Sequence, residues 1–292
     1  MRVKAIVYDH GVKLSEYEVI AINQNSLLVK PVYVYIGLVE RIVSSGLETI
    51  NKPRILGSSG IVRILESSKS NYSELSGKLA CVSPLSNGKV LGLDIDGLFS
   101  TYTYVKPDTL IYFFEKAKPV HAIYPYIAMA VQLGSRAAGY TVVVGCNILS
   151  LAITEYLRKI SGVEPMVLCS SIPRYIRGYG VKTSNNTGTL PQEVGSIIVT
   201  WDKPSFIYRV LSELNYSKLV LTPLARVPVI PIKPGAYRVE YLDSVERVDI
   251  DIVENLAKEF SRRIRVVKIS DLSEATELIP PRGLGIVIDM SD

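Results

Sequence analysis

The stretch Thr141-Val142-Val143-Val144-Gly145-Cys146-Asn147-Ile148-Leu149-Ser150 carries the clearest chemical signal in the chain. A β-branched run ends on a glycine and passes into 151–159, which reads as a helix. A strand, a tight turn and a helix N-terminus aim backbone N–H groups and the helix dipole at an anion. A dinucleotide site places glycine at three points of such a turn. The first makes the turn, the second lets the backbone approach a pyrophosphate, and the third lets the helix pack on the strand. Here those places hold Gly145, Asn147 and Ser150. Asparagine tolerates left-handed backbone and its amide can donate to a phosphate, and serine is small enough to keep the helix close. Two readings stand side by side: a nucleotide turn, or a well-packed strand, turn and helix.

The end of the next strand decides which nucleotide such a turn would prefer. An NAD site places Asp or Glu there, roughly 20 residues past the glycines, to accept from the ribose 2′-hydroxyl. This strand ends Val167-Leu168-Cys169-Ser170-Ser171, followed by Arg174 and Arg177, with no carboxylate. Two hydroxyls and two guanidinium groups favour a 2′-phosphate, hence NADPH over NADH if a dinucleotide binds. Solvated helix residues are the alternative for Arg174 and Arg177. Trp201, in the loop after a later strand, faces the same crevice and could stack on a ring or fill an empty site. Cys146, at a helix N-terminus, would have a lowered thiol pKa. A small packing residue is the other reading of it.

The elements that must position these groups fall into two parts. Residues 1–118 are punctuated short strands: Val3–Tyr8, Glu16–Ile22, Ser26–Val34, Gly60–Leu65, Lys78–Val82 and Phe99–Val105, with one helix at Leu38–Ser45. That pattern predicts a small barrel. From residue 119 helices and strands alternate. His121–Ala138, Leu149–Ile160, Pro173–Tyr179 and Ser205–Leu214 are helical, and Thr141–Gly145, Pro165–Ser170, Gly195–Thr200 and Lys218–Thr222 are strands. Alternation of this kind predicts a parallel, doubly wound sheet with its ligand crevice at the strands' carboxyl ends. An edge strand after Pro223, the helix Ile250–Arg263, a short strand, the helix Leu272–Leu278 and the strand Leu284–Met290 complete the chain.

Composition limits the classes. The 292 residues suffice for two domains, and 48% hydrophobic with 21% charged residues describes a globular chain. No apolar run reaches membrane-spanning length and the start lacks a signal-peptide core, so no membrane association is expected. The net charge of +5 is spread without a basic block, so no nucleic-acid partner is expected. Cys81, Cys146 and Cys169 lie far apart without a CxxC pair. That argues against a disulfide framework and a zinc knuckle, and fits a reducing cytoplasm. Few Cys and Met, and five Phe against 18 Tyr, point to a thermophilic source.

The order of motifs resembles the medium-chain dehydrogenase/reductase family, which includes zinc alcohol dehydrogenases and zinc-free quinone reductases. Pro53-Arg54-Ile55-Leu56-Gly57-Ser58-Ser59-Gly60-Ile61-Val62 resembles its P-x-x-x-G-H-E…G-x-V segment, and Gly77–Val82 its G-D-x-V segment. Asp96-Gly97-Leu98-Phe99-Ser100-Thr101-Tyr102 resembles G-G-x-A-E-Y, and Asp271–Ala275 with Gly283–Ile288 resembles the closing L-x-E-A…G-K-V-V. The resemblance implies an α/β protein: a GroES-like β-barrel domain over 1–118 and 248–292, and a Rossmann-type nucleotide-binding domain with a doubly wound parallel sheet over 119–247. It implies a small-molecule substrate and a homodimer through the apolar sheet edge around Leu219–Ile232.

Carried over residue by residue, the family's catalytic zinc ligands fall on Gly37, Ser58, Ser59 and Tyr126, and its structural zinc loop has no counterpart after Cys81. Zinc needs Cys, His or carboxylate donors, so no metal is expected. The histidines, His10 and His121, read as surface or packing residues. Tyr35, Glu40 and Tyr126 map to the cleft floor and are the catalytic candidates. A tyrosine would polarise a carbonyl or supply a proton, and a desolvated Glu40 would act as a general acid. The cofactor-binding candidates are Gly145, Asn147, Ser150, Ser170, Ser171 and Arg174. The implied activity is zinc-independent reduction of a carbonyl or quinone with NADPH. The alternative is a non-catalytic homologue serving as a structural subunit or small-ligand binder.

Overall fold

The computed structural model describes residues 2–18, 25–46, 53–227, 229–232 and 237–291. Their contacts gather into two units, Met1–Tyr126 with Ser244–Asp292, and Ile127–Asp243.

The first unit is built from antiparallel pairing. Strand β1 (Arg2–Tyr8) lies between β2 (Val12–Glu18) and the short β4 (Arg54–Ile55). Strand β3 (Leu27–Ile36) is followed by helix α1 (Leu38–Ser44). It is the centre of a larger sheet, with β5 (Ser59–Ser67), β6 (Leu79–Val82) and β10 (Leu110–Phe114) on one side. The small strands β7 (Leu85–Ser86) and β8 (Lys89–Val90) form a hairpin. Its two-residue loop is Asn87-Gly88, both at positive φ (48° and 72°), as a type I′ turn requires. Strand β9 (Thr103–Val105) pairs along β3. The expected strand from Phe99 is shorter because Ser100 Oγ and N bond locally to Tyr102 O and Leu98 O. Residues 19–22 of the expected strand Glu16–Ile22 lie outside the described residues.

The second unit is one parallel sheet. After helix α2 (Tyr124–Gly134) come β11 (Thr141–Val144), α3 (Ile148–Lys159), β12 (Met166–Leu168), α4 (Arg174–Arg177) and β13 (Thr183–Ser184). Then follow β14 (Glu193–Val199), α5 (Pro204–Glu213), β15 (Asn215–Leu221) and β16 (Arg238–Tyr241). The spatial order is β13-β12-β11-β14-β15-β16, every pair parallel. Counted within the unit this is 3-2-1-4-5-6, the dinucleotide-fold order, and the switch point lies between β11 and β14. Val142, Val143 and Val144 are fully buried, as a strand covered on both faces should be.

The helix expected over 121–138 is shorter than the sequence suggests. A 3₁₀ turn, Pro119–Ile123, precedes α2, which ends at Gly134. Pro125 is the second residue of α2, where its missing N–H costs nothing but fixes where the helix begins.

Past the second unit, helix α6 (Ile250–Ser261) leads to β17 (Arg265–Lys268) and β18 (Ile286–Asp289). The chain thereby returns to the first unit, where β18 pairs antiparallel with β3, Ile286 opposite Ile36. No helix among the described residues is long and apolar enough to cross a membrane.

Candidate functional site

At the switch point the helix N-terminus is occupied by the chain itself. Asn147 is the N-cap of α3, and its Oδ1 accepts from Leu149 N at 3.0 Å and Ser150 N at 3.2 Å. Ser150 Oγ accepts from Asn147 N at 3.0 Å and donates to Asn147 O at 2.8 Å. The N–H groups that a pyrophosphate would use are therefore bonded to a side chain, the ordinary economy of a capped helix. Asn147 is 3% exposed and Ser150 fully buried.

The loop after β14 seals the turn further. Asn147 Nδ2 donates to Thr200 Oγ1 at 2.9 Å and to Trp201 O at 3.4 Å. Thr200 donates both its N–H and its hydroxyl to Val144 O. Gly145, at φ 116°, has no room for a Cβ, which would sit 2.3 Å from Trp201 O and 2.4 Å from Thr200 Oγ1. This glycine serves packing of the neighbouring loop. The carbonyl of Trp201 meets the turn, and its indole Nε1 is buried with no hydrogen-bond partner among the described residues.

The third seal is covalent. Cys146 and Cys169 form a disulfide with their Cα atoms 5.6 Å apart. This corrects the expectation drawn from their spacing. They are separated by 23 residues, but β11 and β12 are neighbours in register, Val144 beside Leu168, so the residues that follow them stand side by side. Cys169 follows β12 directly, and its sulfur is bonded to the turn. Ser170 N donates to Asp202 Oδ2 at 3.0 Å, and Tyr175 Oη donates to Cys146 O at 2.9 Å. Ser171 and Arg174 are exposed. In this arrangement the residues present do not fit a pyrophosphate, whereas the exposed hydroxyl and guanidinium beyond β12 stay open.

Thr200, Asp202, Tyr175 and the disulfide were the parts sequence reasoning missed. The nearest signal was Asp202, a carboxylate directly after a strand end.

In the first unit the three catalytic candidates gather into one closed cluster. Tyr35, Glu40 and Tyr126 are each fully buried, and the Tyr35 and Tyr126 rings meet edge-on with centroids 5.3 Å apart. Tyr35 Oη donates to Leu284 O. Its ring occupies the space over two glycines, since a Cβ on Gly37 or Gly285 would strike it. Tyr126 Oη and Ser58 Oγ are 2.9 Å apart, and Ser59 Oγ donates to Ala122 O at 2.9 Å. Glu40, in the first turn of α1, accepts from Gly37 N at 2.6 Å and Gly57 N at 3.1 Å.

Burial raises the Glu40 carboxyl pKa, and the backbone N–H groups facing it work in the opposite direction. Burial, reinforced by the Glu40 charge, also raises Tyr126, so its proton is held firmly. The donor set here is one hydroxyl pair, two hydroxyls bonded to carbonyls and a carboxylate already bonded to amides, which does not fit a zinc ion. Among the described residues no group of three or more His, Cys, Asp or Glu is placed to hold a metal. His121 packs against Phe114 with ring centroids 4.2 Å apart and accepts from Lys118 N at 3.3 Å. Burial, then the nearby Lys118 charge, lowers its pKa to about 4.

A GroES-like unit and a 3-2-1-4-5-6 Rossmann unit together define the medium-chain alcohol dehydrogenase fold, and the chain has that fold. Its backbone is similar over 99% of its length to a thermostable alcohol dehydrogenase of Pyrobaculum aerophilum (TM-score 0.65, 14% identity, all of that chain covered). It is likewise similar to an acetophenone reductase of Geotrichum candidum (TM-score 0.67, 14% identity, 99% and 97% of the two chains). A third likeness is to the 2R,3R-butanediol dehydrogenase of Bacillus subtilis (TM-score 0.62, 15% identity, 98% and 99%). No family model and no curated protein sequence matches the chain. Likeness at this identity establishes the fold.

Proposed function

We propose that the chain is a zinc-independent oxidoreductase homologue of the alcohol dehydrogenase type, reducing a carbonyl or quinone with NADPH when its nucleotide turn is open. The observation that carries this reading is the 3-2-1-4-5-6 sheet with a glycine turn and a twelve-residue helix at its switch point. The Geotrichum candidum reductase of the same fold is in complex with NAD. Ser170, Ser171 and Arg174 follow β12 with no carboxylate among them, and these hydroxyls and the guanidinium favour a 2′-phosphate, which supports NADPH. The noncovalent obstacle is small. An N-cap side chain is worth about 1 kcal/mol, whereas micromolar nucleotide binding releases about 8 kcal/mol. Displacing Asn147 thus weakens binding by roughly fivefold and does not abolish it.

When bound, the nucleotide supplies the hydride chemistry. Within this reading Tyr126, paired with Ser58, holds the proton, and Tyr35 and Glu40 set the floor around it. We place the protein in the cytoplasm, as a homodimer through the edge strand β16, where Val239 and Tyr241 are 43% and 53% exposed. A thermal-shift titration of reduced protein tests the reading. NADPH should raise the melting temperature more than NADH, and no shift at millimolar NADPH would overturn it.

A second reading, a non-catalytic structural subunit or ligand binder, is favoured by one observation. The hydroxyls of Tyr35 and Tyr126 are both committed to internal partners. It predicts nucleotide binding without consumption of NADPH over a panel of carbonyls and quinones.

A further inference from the structure

The geometry points to the Cys146–Cys169 pair as a thiol–disulfide exchange site that latches the nucleotide turn: bonded, the turn is shut; reduced, the N-terminus of α3 opens to a phosphate-bearing ligand. The identity of that ligand rests on the function proposed above. The latch itself rests on where the two sulfurs sit.

Three observations place it. The Cα separation of 5.6 Å lies in the range a disulfide requires, and the two cysteines extend neighbouring strands, so bonded and reduced forms fit the same sheet. Cys146 is partly exposed whereas Cys169 is buried, which gives an incoming thiolate one accessible sulfur. Cys146 is also flanked by the two residues that close the crevice. Gly145 receives the Trp201 carbonyl, and Asn147 caps α3. While Cys146 is tied to β12, Asn147 cannot move away from Leu149 N and Ser150 N as part of a shifting turn. Once the tie is cut, hydrogen bonds alone hold the turn: the cap with its Ser150 hydroxyl, the bonds to Thr200 and Trp201, Gly145 N on Leu168 O, and the Tyr175 hydroxyl on Cys146 O. An incoming phosphate can accept from Leu149 N and Ser150 N in place of Asn147 Oδ1.

The exchange uses a dithiol reductant and transfers two electrons. One reductant thiolate attacks Cys146 Sγ, forming a mixed disulfide and breaking the Cys146–Cys169 bond. Cys169 leaves as thiolate and takes up a proton. The second reductant thiol then attacks its own sulfur in the mixed disulfide and is oxidised with it, and Cys146 leaves. It leaves beside the N-terminus of a twelve-residue helix, whose dipole favours the thiolate. Cys81 takes no part: it is buried in the other unit, and burial raises its thiol pKa well above the usual value.

The test compares oxidised full-length protein, the same protein reduced with a phosphine, and the Cys146→Ser/Cys169→Ser variant. Two readouts are used, amide hydrogen exchange at Leu149 and Ser150 and calorimetric titration with NADPH. The latch predicts exchange at those amides at least tenfold faster in the reduced protein, and NADPH affinity at least tenfold higher. Should the double variant fail to fold, reduction of the wild type carries the comparison alone. Equal exchange in the oxidised and reduced forms would overturn the latch. Equal NADPH affinity in both forms would also overturn it and leave the proposed function standing. Faster exchange on reduction with NADPH bound by neither form would support the latch and overturn the nucleotide reading.

Discussion

The turn after β11 and the cluster around Glu40 are both places where this fold can hold a reacting group, and in both the chain's own side chains take that place. They are filled in different ways. Around Glu40 every group is fully buried and hydrogen-bonded, and Tyr35 occupies the volume over two glycines. Reopening that cluster would leave buried donors unpaired. At the turn the seal is one side-chain cap, a few hydrogen bonds and a disulfide, bordered by exposed Ser171 and Arg174. Removing one bond there strands no buried charge. The first place is therefore rigidly held by buried bonds, and the second is a reversible barrier.

The contrast can be broken most forcefully at Glu40. Glu40→Ala leaves the N–H groups of Gly37 and Gly57 without partners, and unsatisfied buried donors cost about 1–3 kcal/mol each. Urea unfolding should show a loss of about 2–5 kcal/mol. Glu40→Gln should lose less, because one oxygen survives to accept. A stability change under about 0.5 kcal/mol for Glu40→Ala would remove the claim that buried bonds hold this cluster rigidly.

The disulfide is next. Opening a loop closed by cysteines 23 residues apart should lower stability by about 3 kcal/mol, seen as a lower unfolding midpoint in reductant. Asn147→Ala should cost about 1 kcal/mol and Asn147→Gly only a few tenths, because glycine is itself tolerated at an N-cap. If the two substitutions are equally costly, the cap is not what Asn147 contributes.

The smallest effect is a pH dependence in the first unit. His121 has its pKa lowered from 6.5 to about 4, so the unfolded chain binds a proton that the folded one does not. Its contribution to stability is complete above about pH 6.5 and is lost as the pH falls towards 4. His121→Gln should flatten that limb of a pH–stability curve between those values, while a His10 variant, at an exposed side chain, serves as the control.

The parts of this molecule written in local sequence were readable before the structure. The β-branched run before Gly145 and the alternation of helix and strand after residue 119 specify the parallel sheet, because both patterns act over a few residues. The short pieces β4, β7, β8, β10 and β13 are held by tertiary pairing and carry little pattern of their own. Motif position singles out Tyr35, Glu40 and Tyr126 but says nothing of their internal partners. Leu284, for one, is 249 residues from Tyr35. The disulfide was missed for the same reason, since spacing in sequence says nothing about strands that a crossover makes neighbours. Asn147 was legible as an obstacle. Its role as a cap follows from the helix that begins one residue later.

The central claim is that Asn147 stands in the place of a pyrophosphate. It is tested most directly by calorimetric titration of NADPH into reduced wild type and reduced Asn147→Ala. Removing a competitor worth about 1 kcal/mol should tighten binding by roughly fivefold. Equal affinity in the two proteins, or weaker binding by the alanine variant, would contradict it.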